Sequence, residues 1–369
     1  MKILVLASLT LPATANYLIG VLREASHELL VCSDVASPLV DLKVRGVVDV
    51  AQICAQHSLE PDLVLFIEGG TMRLFPVGLE HMLCPTAWYG IDTHMDYAKH
   101  VRIGRLFDAT FIAQKEFVDR LRKDGLGQVY WLPLAFAPEL FPAEKPELCY
   151  DLAYVGSSNA SVHPVRHALL TSIQSEFPNV FMGPASPGDM VRIYAQAKVV
   201  FNKSVNNDVN MRYFEAMGAG AVLLTDPAIN NGVDELFRVG EHYFEYRDEK
   251  TLLVLIRSLM QDPERCRRIG EVARHHVLAN HTYRHRVEQL LETMRQSIKL
   301  PPPRQEDYFP ALMSLRLLDA ALLSVGQAAS NAAGGKHRRI VGWVTKIVMI
   351  TLAAGISLME YFQDLLRRK

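Results

Sequence analysis

One stretch of the chain concentrates groups able to hold a phosphorylated ligand: Phe201-Asn-Lys-Ser-Val-Asn-Asn-Asp-Val-Asn-Met-Arg-Tyr-Phe-Glu-Ala-Met-Gly-Ala-Gly-Ala-Val-Leu-Leu-Thr-Asp226. It reads as a strand, a polar loop, a short helix, a glycine turn and a second strand. A polar loop at the carboxyl end of a strand is where open α/β sheets bind ligands. Amide groups at a helix start near Asn210 favour an anion. Arg212 lies in that first turn and Lys203 leaves the preceding strand, so both cations are expected to reach one anion. Glu215 follows Arg212 at i, i+3 and shares its helix face. A carboxylate there can accept both hydroxyls of a ribose. Gly218 and Gly220 predict a close helix-to-strand approach.

Two other segments carry candidate chemistry. Gly156-Ser157-Ser158-Asn159-Ala160-Ser161 is a strand-to-helix loop of small hydroxyl residues, with Arg166 early in the helix that follows. Such a loop is an anion nest or an ordinary helix cap. Trp88-Tyr-Gly-Ile-Asp-Thr-His-Met-Asp-Tyr97 offers His94 and Asp92 as bases for an acceptor hydroxyl, since histidine titrates nearest neutrality. Asp92, His94 and Asp96 alternate, so they could instead line one strand face as metal ligands, or the segment could merely support a cleft. Glu68-Gly69-Gly70, after an apolar strand, is a further cleft candidate.

The elements that must position these groups alternate. Ile3–Ser8 is a continuous apolar run, as expected of a parallel strand covered on both faces. A helix over Ala15–Ala25 and a strand near Glu28–Ser33 complete a β-α-β opening. Strands are predicted at Leu63–Ile67, Thr86–Ile91, Ala109–Ala113 and Tyr130–Leu132, with a helix over Lys115–Lys123. Pro142-Ala-Glu-Lys-Pro146 interrupts the periodicity and reads as a linker. The alternation restarts with strands at Asp151–Val155, Val180–Met182, Lys198–Asn202 and Ala221–Thr225, and helices between them. Beyond Glu249 three helices follow, ending before Pro301-Pro302-Pro303. This predicts an α/β chain with two Rossmann-like domains, 1–145 and 146–300, and a helical C-terminal extension, 301–369.

Here the sequence resembles a family. Asn210-Met-Arg212-Tyr-Phe-Glu215-Ala, the glycine turn and the Leu-Leu-Thr-Asp226 strand end are similar to the donor motif of GT-B glycosyltransferases, and more closely to the spore-maturation (CgeB-like) branch. The resemblance runs through Asn231-Gly232, Glu235-Leu236-Phe237, Asp262-Pro263-Glu264 and His281-Thr282-Tyr283. It implies transfer of a sugar from a nucleoside-diphosphate donor such as a UDP-sugar, a substrate rather than a cofactor, without a metal. The first domain is then the acceptor side. Glu215, Asn210, Asn207, Gly156, Ser157 and Arg166 would bind the donor, while His94, Asp92, Arg212 and Lys203 would act in transfer. It also implies that the helix from Thr282 to Lys299 crosses back to the first domain. One position departs from the pattern: where retaining members carry Glu-x7-Glu, the first acid falls on Asn207, with Asp208 beside it.

Composition bounds the rest. The 39 Lys and Arg balance 40 Asp and Glu, which gives no support to nucleic acid as a partner. Five scattered cysteines without a Cys-x-x-Cys pair point to a reducing compartment, hence a cytoplasmic location. Ile340–Met359 is apolar apart from Lys346 and lies between basic clusters, Lys336, Arg338 and Arg339 before it and Arg367, Arg368 and Lys369 after. That pattern suits contact with the inner face of a membrane, or a helical pair that packs or forms a homodimer. The acceptor is left as a glycan, a lipid-linked molecule or a protein. Rival readings are a non-catalytic GT-B scaffold for binding or surface assembly, and an epimerase on the same fold.

Overall fold

The computed structural model describes residues 1–9, 14–69, 74–142, 146–297, 299–300, 303, 307–308 and 310–311. The apolar segment Ile340–Met359 and most of the extension lie outside them, as do residues 143–145 of the expected linker. No helix among the described residues is long and apolar enough to cross a membrane.

The N-terminal half opens with β1 (Lys2–Ala7), α1 (Thr14–Glu24), β2 (Glu28–Ser33), β3 (Leu42–Lys43), β4 (Gly46–Asp49), α2 (Val50–Gln56), β5 (Leu63–Ile67) and β6 (Leu74–Val77). It continues with β7 (Thr86–Gly90), α3 (Tyr97–Gly104), β8 (Ala109–Ile112), α4 (Val118–Lys123) and β9 (Val129–Trp131). Seven of these strands form one parallel sheet, ordered β3-β2-β1-β5-β7-β8-β9. Ile3 to Ala7 and Leu63 to Ile67 are buried throughout because helices cover both faces. In register, Leu4 lies between Leu30 and Val64. β4 and β6 form a separate parallel pair that the sequence pattern did not announce.

The second sheet, ordered β11-β10-β12-β13-β14, is built from β10 (Tyr150–Val155), α5 (Pro164–Glu176), β11 (Val180–Gly183), α6 (Pro187–Ala195) and β12 (Ala197–Phe201). It is completed by α7 (Met211–Gly218), β13 (Val222–Thr225), α8 (Val233–Leu236) and β14 (Tyr243–Glu245). Then come α9 (Glu249–Gln261), α10 (Pro263–Asn280) and α11 (Tyr283–Gln296). Helix starts follow their caps: Asp248 and Thr251 form a capping box on α9, and Asp262 caps α10 ahead of Pro263.

Helix α11 packs on α1, so the chain returns from the second sheet to the first. Phe136 and the crossing point exchange backbone hydrogen bonds, Phe136 N to His281 O (2.9 Å) and Tyr283 N to Phe136 O (3.0 Å). Arg286 Nε donates to Pro133 O at 2.9 Å, and the rings of Tyr17 and Tyr283 lie 5.0 Å apart.

Three local expectations are corrected. Residues 91–96 are not a strand: β7 ends at Gly90, the chain turns, and Asp96 caps α3 by accepting from Lys99 N. Alternation along a strand face therefore fails for Asp92, His94 and Asp96. The helix expected from Lys115 begins as a 3-10 turn, and α4 itself starts at Val118. The glycines after α7 approach other partners than the strand. A side chain at Gly218 would strike the Phe136 ring, and Gly270 of α10 lies against the Gly220 carbonyl.

That last contact is backbone against backbone and has no flexible end to yield. Gly270→Ala should cost about 1–3 kcal/mol of stability through overpacking. A fall in the urea midpoint relative to the native chain checks it, and an unchanged midpoint would show that α10 can shift.

Candidate functional site

Facing loops of the two sheets enclose a cleft of about 910 Å³. The first sheet contributes Asp92, His94 and Met95. The second contributes Gly156, Ser157, Arg166, Tyr194, Val205, Asp208, Asn210, Arg212 and Glu215, among others.

On the second side the polar loop is fixed by Asn202, which is fully buried at the end of β12 and which sequence reasoning passed over. Asn202 Oδ1 accepts from Arg212 Nη1 (2.6 Å) and from Asn210 Nδ2 (3.3 Å), while its Nδ2 donates to Thr225 Oγ1 (3.0 Å). Arg212 Nη2 donates to Val155 O (2.6 Å) and its Nε to Tyr194 Oη (2.9 Å). Asn210 caps α7, accepting from Arg212 N at 3.1 Å. Gly156 has φ +151, and a Cβ there would lie 2.7 Å from Tyr154 Oη and 3.2 Å from Arg212 Nη2. Only glycine lets this loop lie against the guanidinium.

The second cation of the cleft is Arg166, which is 8% exposed. Its Nη2 donates to Lys203 O (2.8 Å), and its Nε is buried without a partner. The guanidinium carbons of Arg166 and Arg212 lie 5.8 and 4.9 Å from the Tyr154 ring centroid. Neither arginine has a carboxylate within ion-pair distance among the described residues. Two guanidinium groups with spare donors around one aromatic ring make a site for a di-anion. Glu215 lies on the same helix face as Arg212, and its carboxylate receives no hydrogen bond from the described residues. Burial pushes its carboxyl up to about 7, against the opposing pull of Arg212.

Two expected donor contacts fall elsewhere. Lys203 does not line the cleft; its Nζ pairs with Asp226 Oδ2 at 2.7 Å, because the end of β13 brings a counter-charge beside it. Asn207 is also outside the lining. It sits at φ +64, and its side chain is tied to the Ile229 backbone through Nδ2 to O and N to Oδ1, both 2.6 Å. Its neighbour Asp208 faces the cleft instead, 8% exposed, accepting from Gln114 Nε2 at 3.0 Å. The carboxylate missing at Asn207 is thus present one residue on.

On the first side, the turn carrying Asp92 and His94 is held from beneath by Glu68, 3% exposed at the end of β5. Glu68 Oε2 accepts from the amides of Ile91 (2.6 Å) and Asp92 (3.0 Å). Its Oε1 pairs with Lys99 Nζ (2.8 Å), and His100 Nε2 lies 3.2 Å away. Burial alone would raise this carboxyl, but His100 and Lys99 outweigh it and hold it well below the usual range. Gln114 adds a second clamp, donating to Ile91 O and accepting from Thr93 N. The other carboxyls of the region are shifted the opposite way. Asp92 is raised by burial and by Glu68, with His94 opposing; Asp208 is raised by burial, with His94 and Gln114 opposing and Asp92 adding. His94 Nδ1 is buried without a partner. Asp96, used as a helix cap, belongs to no metal set, and no group of three His, Cys, Asp or Glu among the described residues is spaced to hold a metal.

Against known proteins, residues 148–292 match a family described as glycosyl transferase-like. No curated protein sequence matches the chain. HepE of Anabaena, solved with UDP-glucose, superposes with a TM-score of 0.59 at 14% identity, over 80% of this chain and 100% of that one. Sucrose-phosphate synthase from Thermosynechococcus elongatus gives 0.54 at 13% identity, over 80% and 99%. An alpha-glucosyltransferase solved with UDP and a 13-mer DNA gives 0.54 at 8% identity, over 80% and 99%. The chain has the fold of GT-B glycosyltransferases, and the family match lies on residues 148–292, which hold the second sheet and the helices after it.

The Glu68 cluster generates a stability prediction. Glu68→Gln leaves Lys99 buried without its counter-charge and should cost on the order of 3 kcal/mol. Because the folded carboxyl lies below its unfolded value, its contribution is present above about pH 4.3 and lost as pH falls below that. Urea unfolding of both chains across pH 3 to 7 (roughly the carboxyl range) should therefore show the two curves converging in acid.

Proposed function

We propose that this chain is a glycosyltransferase that takes a nucleoside-diphosphate sugar, a UDP-sugar in the first instance, in the cleft between its sheets. The observation that carries the reading is the pair Arg166 and Arg212, free of carboxylate partners among the described residues, with Glu215 one helix turn from Arg212 and its carboxylate unbonded. The diphosphate fits against the two guanidinium groups and the start of α7, with Gly156 and Ser157 closing over it. The ribose hydroxyls fit on Glu215. The family match over residues 148–292 supports this, as do the nucleotides in the similar structures. Kinship with the spore-maturation branch rests on the motif from Asn210 to Asp226 and on the residues that continue it to His281-Thr282-Tyr283.

In the transfer, an acceptor hydroxyl forms a bond to the anomeric carbon of the donor. The bond from that carbon to the diphosphate oxygen breaks, and the diphosphate leaves with the electron pair. Arg212 and Arg166 oppose the charge that grows on it, which is where fixed cations lower a barrier most. The hydroxyl proton passes to the Asp92–His94 turn. Lys203 acts at one remove, through Asp226 and the loop they hold together. No metal is assigned a part, because the arginine pair supplies the positive charge that the leaving group needs. We place the enzyme in the cytoplasm, with residues 301–369 as its contact to the inner membrane face or to a second copy.

One observation favours the rival reading of a non-catalytic scaffold: Asn207, where related enzymes carry an acid, is absorbed into the Ile229 turn. Release of UDP from UDP-glucose by the purified chain separates the two, and a chain that binds without any turnover is a scaffold. Turnover should persist in EDTA; its loss, restored by manganese, overturns the metal-free reading.

Glu215 gives the binding step a pH dependence with a definite sign. Ribose hydroxyls bind the ionised carboxylate, and in the free protein that group is half protonated at about 7. UDP-glucose affinity should fall by up to roughly tenfold per pH unit below that point and level off above it. Glu215→Gln should weaken binding about ten- to hundredfold and flatten the profile. Calorimetric titration from acid to neutral pH checks both, and a native profile as flat as the variant's removes Glu215 from the ribose.

A further inference from the structure

Charge in the cleft is divided. Both cations that line it, Arg166 and Arg212, belong to the half built by β10, α5 and α7. The half built by the first sheet and the loop after β12 is lined by Asp92, His94, Met95, Val205 and Asp208. The cations nearest that half are already engaged. Lys99 is held by Glu68, Lys115 by Glu235 and over Trp131, and Arg120 lies over the Tyr97 ring, 3.8 Å from its centroid. Asp92 and Asp208, one from each side, therefore face one cleft together with His94. Asp208 is nine-tenths buried, lines the cavity, and uses one oxygen on Gln114; its second oxygen has no partner among the described residues. Glu116, bonded by Asn207 Nδ2 at 3.3 Å, adds a third carboxyl near His94.

We infer that the acceptor half of the cleft is a cation site, and that the acceptor carries a protonated amine close to the hydroxyl that receives the sugar. The inference rests on the donor reading above, which fills the other half. Burial raises Asp92 and Asp208, Glu68 adds to the first and Asp92 to the second, and the opposing pull of His94 does not cancel the shift of either. An ammonium group lowers both and accepts the field of the pair, whereas a phosphate or carboxylate on the acceptor meets repulsion from two sides. Met95, 62% exposed, and Val205 provide an apolar wall for the carbon skeleton of a compact amino sugar or amino alcohol. With the amine held by the carboxylates, His94 remains beside the neighbouring hydroxyl, its Nδ1 unpartnered and able to take the proton. The same arrangement disfavours acceptors whose reacting end is a phosphate.

The test is a calorimetric titration of the full chain saturated with UDP, using glucosamine, N-acetylglucosamine, glucose and glucose 6-phosphate as probes. Glucosamine should bind at least about tenfold more tightly than its acetylated and uncharged counterparts, and glucose 6-phosphate most weakly. The preference should shrink in Asp92→Asn and in Asp208→Asn and weaken as salt rises. Measuring UDP affinity for each variant in the same series separates a lost acceptor preference from a lost fold. Absence of a glucosamine preference, a preference for glucose 6-phosphate, or a preference that both variants keep overturns the inference and leaves the donor reading standing. Failure of UDP to bind the native chain removes both.

Discussion

The carboxylate of Glu68 is the constraint on which the first side of the cleft depends. It is buried at the end of β5, where an isolated charge would be expelled or protonated. It persists because Lys99 and His100 reach it from α3 and two amides reach it from the turn after β7. Those four contacts tie β5, the turn after β7 and α3 to one point. The turn can therefore present Asp92 and His94 to the cleft without a regular element of its own. A neutral side chain at position 68 could fill the volume but could not draw both a lysine and two amides inward.

A comparable division of labour holds on the second side. Asn202, Asn210, Thr225 and Tyr194 use their polar atoms to orient Arg212, and Tyr154 lies beneath both arginines. The guanidinium of Arg212 is thereby fixed before a ligand arrives, so its charge needs little reorganisation. The two sides are joined through several contacts. The main-chain exchange between Phe136 and the His281–Tyr283 segment is reinforced by α11 on α1. At the cleft, side-chain bonds cross from Gln114 to Asp208, from Asn206 to the His94 carbonyl and from Asn207 to Glu116, and Lys115 pairs with Glu235. Main-chain and side-chain bonds thus share the work of holding the cleft's two walls in register.

The fold was legible from periodicity because both sheets are parallel and buried, so strands such as Ile3–Ala7 and Leu63–Ile67 stand out as unbroken apolar runs. The short parallel pair β4 and β6 was not, since four-residue strands at an edge carry too little pattern. At the site, Arg212, Glu215, Asn210 and Arg166 could be placed because helix spacing and a strand-end loop determine their faces. Lys203 could not, because its direction depends on Asp226, 23 residues away and one strand over. Asn207 and Asp208 exchange roles for a similar reason. A left-handed backbone at residues 206 and 207 rotates the loop, and no spacing rule registers that. Glu68 was noticed only by position. Its role depends on Lys99 and His100, whose sequence distance gives no hint that they converge on one oxygen.

The glycines show how close approach and chemistry are linked. Gly156 brings a backbone loop against Arg212, Gly218 seats α7 on Phe136, and Gly270 brings α10 onto the Gly220 turn. Gly218 and Gly270 set where α7 sits relative to the crossing chain and to α10. The position of α7 in turn sets where Arg212 and Glu215 stand relative to Arg166 of α5. Arg274 of α10 donates to the Gly218 carbonyl, so the end of α7 is fixed from the same side. Bulk added at these contacts would move the helix by a fraction of an ångström along its axis. Because one face of α7 carries both Arg212 and Glu215, such a shift moves both groups together. The placement of these two side chains in the cleft is therefore inherited from packing outside it.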